Sequence, residues 1–445
     1  MIHAKELIDM ERGYQSRRVF WDEEVYRQEL ARIFARSWLF LAHECEIPNP
    51  GDFVSRYMGQ DAVIVARQKD KSIKAFANSC THRGNKLCFA DAGNTQSFSC
   101  NYHGWSFGLD GSLVGVPLEK EAYHNKIDKA ALAAHPVAKV ESFHGLIFGN
   151  FDPEAPSLRD YLGEMAWYFD IFMDEEVTGG IELLGPPMKS ILKSNWKVPI
   201  ENFACDAYHV GWTHGSAIKL MESFGGRLVE LLGNANYDPG EDIQVTTRGG
   251  HGFGCLRDQE RPVGPALHPT PAYMDYVLKK RPIVEAKKGK AAASLYGQHW
   301  DGAIFPNCTY LYGTNTFKVW IPKGPMELEV WTWTMVEKDM PTELKEEIRK
   351  GNMMTFGTAG MLESDDGENM EQCTRINQGY VIGQDRLFAG MSLGMEKPHP
   401  EFPGLVGQGT VSEVALRGFY RRWMEMMDAQ SWQELKALDS KKEVA

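Results

Sequence analysis

The 445-residue chain lacks any uninterrupted apolar run close to the ~20 residues that a membrane-spanning helix needs. Its N-terminal segment is densely charged and lacks the apolar core of a secretory signal peptide. Basic residues are in deficit, with 48 Lys and Arg against 60 Asp and Glu and a net charge of −12. The deficit of basic residues excludes a nucleic-acid partner held by a basic surface. From the missing apolar segments we expect a cytoplasmic protein without a membrane partner.

Cysteine is also scarce. The eight cysteines are scattered, which argues against a disulfide framework and favours a reducing compartment. The chain lacks a Gly-x-Gly-x-x-Gly fingerprint followed by a helix, so we expect any nicotinamide cofactor to be oxidised by another protein. The length predicts about two or three domains, and the 43% hydrophobic content is ordinary for a globular chain.

Two Cys/His pairs carry the most information. Cys80 with His82 and Cys100 with His103 are separated by residues 83–99. A zinc finger normally groups two Cys in one lobe and two His in the other, whereas each pair here mixes the two ligand types. That mixture is typical of a Rieske [2Fe–2S] cluster, in which two Cys bind one iron and two His bind the other. A zinc site or four unrelated buried residues are the alternatives.

Residues beside these pairs narrow the type of cluster. Rieske proteins of respiratory complexes resemble this pattern but carry two further cysteines, one in each loop, joined as a disulfide. The corresponding positions here are Asn85 and either Asn101 or Tyr102, and Cys88 has no partner beside the second pair. The motif therefore resembles the lower-potential group found in ferredoxins and oxygenases. A Rieske ferredoxin needs only about 100 residues, so another domain is attached.

The pattern along the chain predicts an all-β module inserted into an α+β domain. We expect residues 1–37 to form the N-terminal helical part of the α+β domain, residues 38–154 the inserted module, and residues 155–445 the rest of that domain. Helices are predicted at 22–38, 341–356 and 411–427, and strands at 316–322 and 326–336. The basic cluster at 279–290 is interpreted as a solvated helix or loop, with a docking segment as the alternative.

A second candidate metal site lies near His209 and His214. Positions i and i+5 lie ~140° apart on an ideal helix, so both residues bind one metal only if the helix breaks, and Gly211 is placed to break it. Asp206 lies three residues before His209, where it can orient the imidazole. Taken alone, the pattern also fits two structural histidines.

A carboxylate for this site is available in the acidic run at residues 363–369. Two His and one carboxylate form the facial triad of non-haem Fe(II) oxygenases. Asp365 and Asp366 are both candidates that spacing alone does not separate. In isolation the run also fits a solvated loop or helix start. Next to a Rieske motif, however, an oxygen-activating iron that receives single electrons makes chemical sense.

Together these motifs resemble the large (α) subunit of Rieske non-haem iron ring-hydroxylating dioxygenases, in the naphthalene and polycyclic-aromatic branch. The resemblance covers nearly the whole chain and includes residues 80–85, 100–105, 195–197, 201–214, 296–307, 337–341 and 356–369. It implies a [2Fe–2S] cluster on the two Cys/His pairs, and a mononuclear Fe(II) on His209, His214 and Asp366. It also implies that Asp206 bridges His209 to His103 of a neighbouring subunit, and that Asp206 and Asn202 take part in catalysis.

The same resemblance implies a helix-grip-like catalytic domain of helices on an antiparallel sheet, with the Rieske domain inserted. The implied reaction is NADH- and O2-dependent cis-dihydroxylation of an aromatic ring. Electrons would arrive through a ferredoxin reductase and a ferredoxin, and a small β subunit would complete an α3β3 hexamer. Two alternatives stay open: a Rieske monooxygenase or O-demethylase acting on a substituent, and a non-catalytic electron-transfer protein.

The implied substrate is apolar. Between Ile200 and Leu220, Lys219 is the only Lys or Arg, so a clamp for a carboxylated ring is missing. Leu362 stands where naphthalene-type enzymes tend to have Trp, which leaves room for a larger ring system. The implied lining consists of Asn202, Phe203, Val210, His299, Leu311, Phe356 and Leu362. Each apolar member taken singly also fits an ordinary core residue.

Overall fold

The computed structural model describes residues 2–204, 206–223, 241–257 and 270–442. Its contacts divide the chain into two compact units. One is Phe34–Leu158, and the other combines Met1–Ile33 with Arg159–Ala445. The α+β class, with an all-β unit inserted into a unit of helices and antiparallel sheet, is confirmed. The boundaries at 37/38 and 154/155 stay predictions.

The inserted unit, Phe34–Leu158, consists of short antiparallel strands around an aromatic core. Phe98 packs edge-on against Phe53 and Phe76, with ring centroids 5.0 and 5.8 Å apart, which joins strands of two different sheets. The three sheets have the strand orders Ile73–Ala77, Asp61–Arg67, Asp52–Met58, Ala92–Asn94; Leu113–Gly115, Ser106–Gly108, Ser97–Ser99; and Lys139–Phe143, Leu146–Asn150, Leu39–His43. Its helical segments are Glu44–Glu46 and Glu119–Tyr123.

The unit that combines Met1–Ile33 with Arg159–Ala445 is called the catalytic unit below, after the domain that the resemblance implies. It is built on a nine-stranded antiparallel sheet. Its central strands are almost entirely buried, as their Val, Phe, Trp and Tyr content predicts. The strand order is Ile181–Leu192, Glu327–Glu337, Thr316–Gly324, Cys308–Tyr312, His299–Ile304, Gly252–Leu256, Ile243–Thr246, Leu405–Gln408, Lys397–Pro398. A smaller sheet joins Ile8–Asp9, Tyr14–Ser16 and Arg386–Phe388.

Helices cover this sheet and carry the site residues. Helix Val414–Asp428 packs so closely on strand Ile243–Thr246 that a Cβ at Gly418 would meet the Thr246 side chain, so glycine is required there. The other helices of the unit are Ala4–Leu7, Arg17–Phe20, Glu23–Glu29, Leu158–Leu162, Met165–Phe172, Glu175–Thr178, Lys197–Phe203, Ala207–Thr213, Gly215–Ser223, Pro271–Lys288, Lys290–Leu295, Thr342–Thr355, Met361–Ile376, Ile382–Gln384 and Trp432–Lys442.

The predicted helix at 22–38 ends early, because residues 35–38 are not helical. Asp22 caps helix Glu23–Glu29 as expected, accepting the backbone N–H of Glu24 at 2.8 Å. A π-helical stretch follows at Leu30–Phe34, and Trp38 already leads into strand Leu39–His43. Every residue of that strand is buried, whereas the helical periodicity with one buried face holds only as far as Phe34.

The remaining predicted elements are present with shifted ends. Both strands of the hairpin at 316–336 are found, and helix Thr342–Thr355 lies within the predicted 341–356. The last long helix begins at Val414 instead of residue 411, because the Ser412 hydroxyl accepts the Val414 N–H there. No helix among the described residues is long and apolar enough to cross a membrane.

The basic cluster at 279–290 lies mostly on helix Pro271–Lys288 and is largely neutralised within the catalytic unit. Lys280 pairs with Asp339 at 2.5 Å, and Lys288 pairs with Asp174 at 2.5 Å. These ion pairs support the interpretation as a solvated helix rather than as a docking segment.

Candidate metal centres and active site

The two Cys/His pairs lie on loops with the same backbone conformation. In each loop the glycine four residues after the cysteine, Gly84 or Gly104, donates its N–H to the cysteine carbonyl, at 2.8 and 2.9 Å. Both glycines have positive φ, +75° and +74°, which explains the choice of glycine. The shared spacing from Cys to Gly therefore closes the same turn twice. Each turn carries one His, two residues after Cys80 and three residues after Cys100.

The four side chains of these pairs come together. The rings of His82 and His103 have centroids 4.5 Å apart, and Trp105 stacks on His82 at 4.8 Å. Cys80 and Cys100 are both buried and both free thiols. The buried Nδ1 of His82 has no hydrogen-bond partner within the described parts of the chain. Two thiols, two imidazoles and an unsatisfied ring nitrogen fit a Rieske cluster.

The surroundings shift the two thiols in opposite directions, and burial raises the pKa of Cys80. Burial opposes ionisation of Cys100, but the backbone N–H groups of Tyr102 and His103 and the side chain of Asn85 hold the pKa of its thiol below the usual range. Desolvation, followed by the nearby His103 and Arg83, lowers the pKa of His82, which favours the neutral imidazole that a metal binds.

The second centre is assembled from two helices and the residue that follows one of them. Helix Ala207–Thr213 carries His209, and His214 follows directly after its end. Asp366 lies on helix Met361–Ile376, with its Oδ1 3.3 Å from His209 Nε2 and 3.2 Å from His214 Nε2. One ligand atom from each of these three residues lies within 4.8 Å of the others, a spacing that suits a single metal ion.

The position of the helix break differs from the prediction. Gly211 lies inside helix Ala207–Thr213, and the chain leaves the helix at His214 before the next helix starts at Gly215. His214 accordingly has a non-helical backbone. The break was needed, as predicted, but the helix end supplies it, not Gly211.

Each histidine also has an acidic residue at its other ring nitrogen. Nδ1 of His209 lies 3.4 Å from the Asp206 carboxylate and contacts the Asp206 carbonyl oxygen. Nδ1 of His214 lies 3.4 Å from Oδ2 of Asp365. The adjacent residues Asp365 and Asp366 thus contact different nitrogens. Asp366 lies between the two Nε2 atoms, and Asp365 lies beside Nδ1 of His214. Such outer contacts orient a metal-binding imidazole.

Charges at this centre are strongly coupled. Burial opposes protonation of His209, but hydrogen bonds with Asp206 and Asp366 raise its pKa to about 10. Burial likewise opposes ionisation of Asp366, yet the two imidazoles hold its pKa well below the usual range. The carboxylate between two imidazoles is the donor set that suits Fe(II), so the residues fit a mononuclear iron.

Asn202 lies within reach of two of these ligands. Its amide Nδ2 is 3.3 Å from His209 Nε2 and 3.2 Å from Asp366 Oδ1. The helix that carries it, Lys197–Phe203, is anchored by a fully buried ion pair between Lys197 and Glu29, at 2.6 Å. This anchor, which links residues 168 positions apart, was not predicted.

One pocket adjoins the centre, and all seven predicted lining residues contribute to it. Their contact with substrate stays a prediction. The prediction missed Ala207, Leu256 and Asp301. A signal existed for Asp301, because it follows His299 by two residues on strand His299–Ile304 and therefore shares its face. His299 Nε2 lies 2.8 Å from Asp301 Oδ1.

A buried lysine behind the pocket was also missed. Lys318 pairs with Glu363, and its ammonium lies 5.2 and 5.8 Å from the ring centroids of Phe203 and Phe356. Lys318 is not among the residues lining the pocket. The ammonium therefore packs against two aromatic side chains that line the pocket, and the Glu363 carboxylate balances its charge.

Comparison with known proteins agrees with this geometry. Residues 158–429 match the ring hydroxylating alpha subunit (catalytic domain), and residues 37–141 match the Rieske [2Fe-2S] domain. The large oxygenase component of the naphthalene 1,2-dioxygenase system of Pseudomonas aeruginosa is 44% identical, over 94% of this chain and 93% of that protein. The chain belongs to the Rieske ring-hydroxylating dioxygenase α subunits.

Further relatives support the same family. Biphenyl dioxygenase subunit alpha of Paraburkholderia xenovorans (strain LB400) is 39% identical, over 97% of this chain and 94% of that protein. The solved structure of naphthalene 1,2-dioxygenase with indole bound in the active site has a TM-score of 0.92 at 40% identity, over 99% of this chain and 98% of that chain.

Family membership decides the class of reaction and the cofactors. The chain is the terminal oxygenase component of an aromatic ring-hydroxylating dioxygenase, an oxidoreductase. Its cofactors are a Rieske [2Fe–2S] cluster and a mononuclear iron. The alternative of a monooxygenase acting on a ring substituent is not favoured, since the relatives named above are dioxygenases.

Proposed function

We propose that this chain is the large subunit of an oxygenase that converts an apolar, polycyclic aromatic hydrocarbon into its cis-dihydrodiol. The balanced reaction is arene + O2 + NADH + H⁺ giving the cis-dihydrodiol + NAD⁺. The observation that carries the proposal is an apolar pocket directly beside the three-residue metal centre. Curated relatives that act on naphthalene and biphenyl support the same substrate class.

The proposed ligands are Cys80, His82, Cys100 and His103 for the cluster, and His209, His214 and Asp366 for the mononuclear iron. When bound, the cluster supplies single electrons and the iron activates O2. Asp206 and Asp365 hold the two imidazoles by their Nδ1 atoms. Asn202, 3.2 Å from Asp366 Oδ1, maintains the orientation of the carboxylate from the pocket side.

The pocket residues select and place the ring. Phe203, Leu311, Phe356 and Leu362 are buried and supply apolar walls that exclude water. The lining contains no Lys or Arg among the described residues, so a benzoate-like substrate would leave its carboxylate without a cationic partner. His299, paired with Asp301, is a polar group that can orient the substrate at one end.

Product analysis tests the substrate class. The purified oxygenase, with reductase, ferredoxin and NADH, is given naphthalene, biphenyl, phenanthrene and benzoate under ¹⁸O2, and products are identified by mass spectrometry. We expect dihydrodiols of the neutral arenes with two ¹⁸O atoms, and little product from benzoate. The Asp366→Ala variant is the matched control and should form none. A preference for benzoate, or products with one ¹⁸O atom, would overturn the proposal.

The proposed assembly comprises a small β subunit in an α3β3 hexamer, together with a ferredoxin and its reductase. Within it, Asp206 would bridge His209 to His103 of a neighbouring subunit. The Asp206 side chain is 43% exposed although it contacts His209, so a further partner can reach it. His103 is exposed as well. Native mass spectrometry of the co-expressed subunits checks the stoichiometry, and an α-only trimer with full activity would contradict it.

A further inference from the structure

The two loops of the Rieske unit are joined by a pair of side-chain amides. Asn85 closes the first loop, where its carbonyl oxygen accepts the N–H of Cys80 at 2.8 Å. Its side chain crosses to the second loop, and Nδ2 lies 2.7 Å from Oδ1 of Asn101. Respiratory Rieske proteins carry a disulfide at the positions that correspond to Asn85 and to either Asn101 or Tyr102. Here a hydrogen bond joins the loops instead.

The same amide also reaches a cysteine sulfur. Nδ2 of Asn85 lies 3.6 Å from Sγ of Cys100, within hydrogen-bonding range for sulfur. A side-chain amide has two N–H bonds, so one can point at Asn101 while the other points at the sulfur. The contact with Asn101 therefore holds the donor in the orientation that the sulfur contact needs.

We propose that Asn85, held by Asn101, is a positioning residue that donates an N–H to the Cys100 sulfur and makes the cluster easier to reduce. The inference rests on the proposed ligand role of Cys100. Reduction adds one electron and hence one negative charge to the cluster. A hydrogen bond to a ligand sulfur stabilises the more negative form, so it raises the reduction potential.

A redox titration of the purified holoenzyme tests this inference. Dithionite supplies the electrons, and the reduced cluster is followed by electron paramagnetic resonance. Asn85→Leu keeps the branched shape and removes both donors. At a fixed applied potential we expect the ratio of reduced to oxidised cluster to fall about fivefold. For a one-electron couple this is a shift of about −40 mV, at 59 mV per tenfold change. Asn101→Ala should shift the potential in the same direction but less.

Ser106→Ala is the matched control. The Ser106 hydroxyl lies 2.8 Å from that of Ser99 beside the second loop. It contacts no ligand sulfur among the described residues, so its loss should leave the potential unchanged. An unchanged potential in Asn85→Leu with full cluster content would overturn the inference. If Asn85→Leu loses the cluster, the potential of Asn85→Ala is measured instead, and an unchanged value there would also overturn the inference. A wild-type potential in Asn101→Ala would show that Asn101 does not hold the Asn85 amide in place. A wild-type protein without a Rieske signal would instead refute the proposed ligands.

Discussion

Asp206 holds both the backbone and the ring of His209. Its carboxylate accepts the His209 N–H at 3.3 Å as the N-cap of helix Ala207–Thr213, and it lies 3.4 Å from Nδ1 of the same residue. One side chain therefore sets where the helix begins and how its first imidazole is oriented.

Replacing Asp206 by Asn should separate these two roles. Asn caps helices about as well as Asp, so the fold and both metals should be retained. The neutral amide does not orient or polarise the imidazole as a carboxylate does, so turnover should fall by roughly 10–100-fold. Steady-state O2 uptake, iron analysis and Rieske absorbance measure the outcome. Asp206→Ala should in addition lower stability by about 1 kcal/mol, through loss of the cap. Near wild-type turnover in Asp206→Asn would contradict the role.

The two adjacent aspartates should differ in their effect on iron content. Asp366 lies between both Nε2 atoms, whereas Asp365 contacts only the outer Nδ1 of His214. Asp366→Ala should therefore lose the mononuclear iron while the Rieske absorbance persists. Asp365→Ala should retain the iron and weaken its binding by roughly 10–100-fold. Iron-to-protein ratios measured after dialysis against a chelator check this, and the opposite order would move the ligand assignment to Asp365.

Leu362 should set the size of the accepted substrate. It is 2% exposed and lines the pocket beside Phe356. In Leu362→Trp the larger indole should exclude a three-ring substrate at a cost of about 1–3 kcal/mol, while a two-ring substrate is less affected. The ratio of kcat/KM for phenanthrene and naphthalene measures this. Leu362→Met conserves volume and serves as the control. An equal ratio in wild type and Leu362→Trp, with iron content intact, would show that Leu362 does not face the substrate.

Glu337 should make stability depend on pH. It is buried and accepts hydrogen bonds from Tyr276, Tyr296 and Tyr312 at 2.8, 2.9 and 3.1 Å. Burial nevertheless raises its pKa to about 7. The folded state thus binds this proton more tightly than the unfolded state. The resulting stabilisation, about 3 kcal/mol, is complete below about pH 4.5 and is lost as the pH rises to about 7.

Replacing Glu337 by Gln removes that titration. The difference in Tm between wild type and variant should therefore shrink or reverse between pH 4.5 and pH 7, then stay constant at higher pH. Thermal unfolding followed across this range measures it. Glu346→Gln, which removes an exposed carboxylate paired with Arg349, should keep the wild-type profile. If the Tm of the wild type and that of Glu337→Gln change with pH in parallel, the raised pKa of Glu337 is refuted.

The cluster motif was readable from the sequence because its geometry is local. Each Cys/His pair lies within one turn, and the glycine that closes the turn, Gly84 or Gly104, lies four residues after the cysteine. The strands at 316–336 were also predictable, because they are rich in β-branched and aromatic residues, and helix Thr342–Thr355 was predictable because one of its faces is buried. By contrast, the helix predicted to run to residue 38 ends at Phe34, since the chain there leaves the amphipathic pattern and leads into the fully buried strand Leu39–His43.

Tertiary structure decided the relationships between distant residues. The choice between Asp365 and Asp366 depends on which side of helix Met361–Ile376 faces His209, and adjacent helical residues point ~100° apart. The amide contact from Asn85 to the Cys100 sulfur requires two separate loops to meet. Sequence by itself therefore determined the ligand types and their local spacing, because these follow from short-range backbone geometry. Packing alone determined which atoms meet at the proposed metal centres and line the pocket, since those positions depend on contacts between segments far apart in the chain.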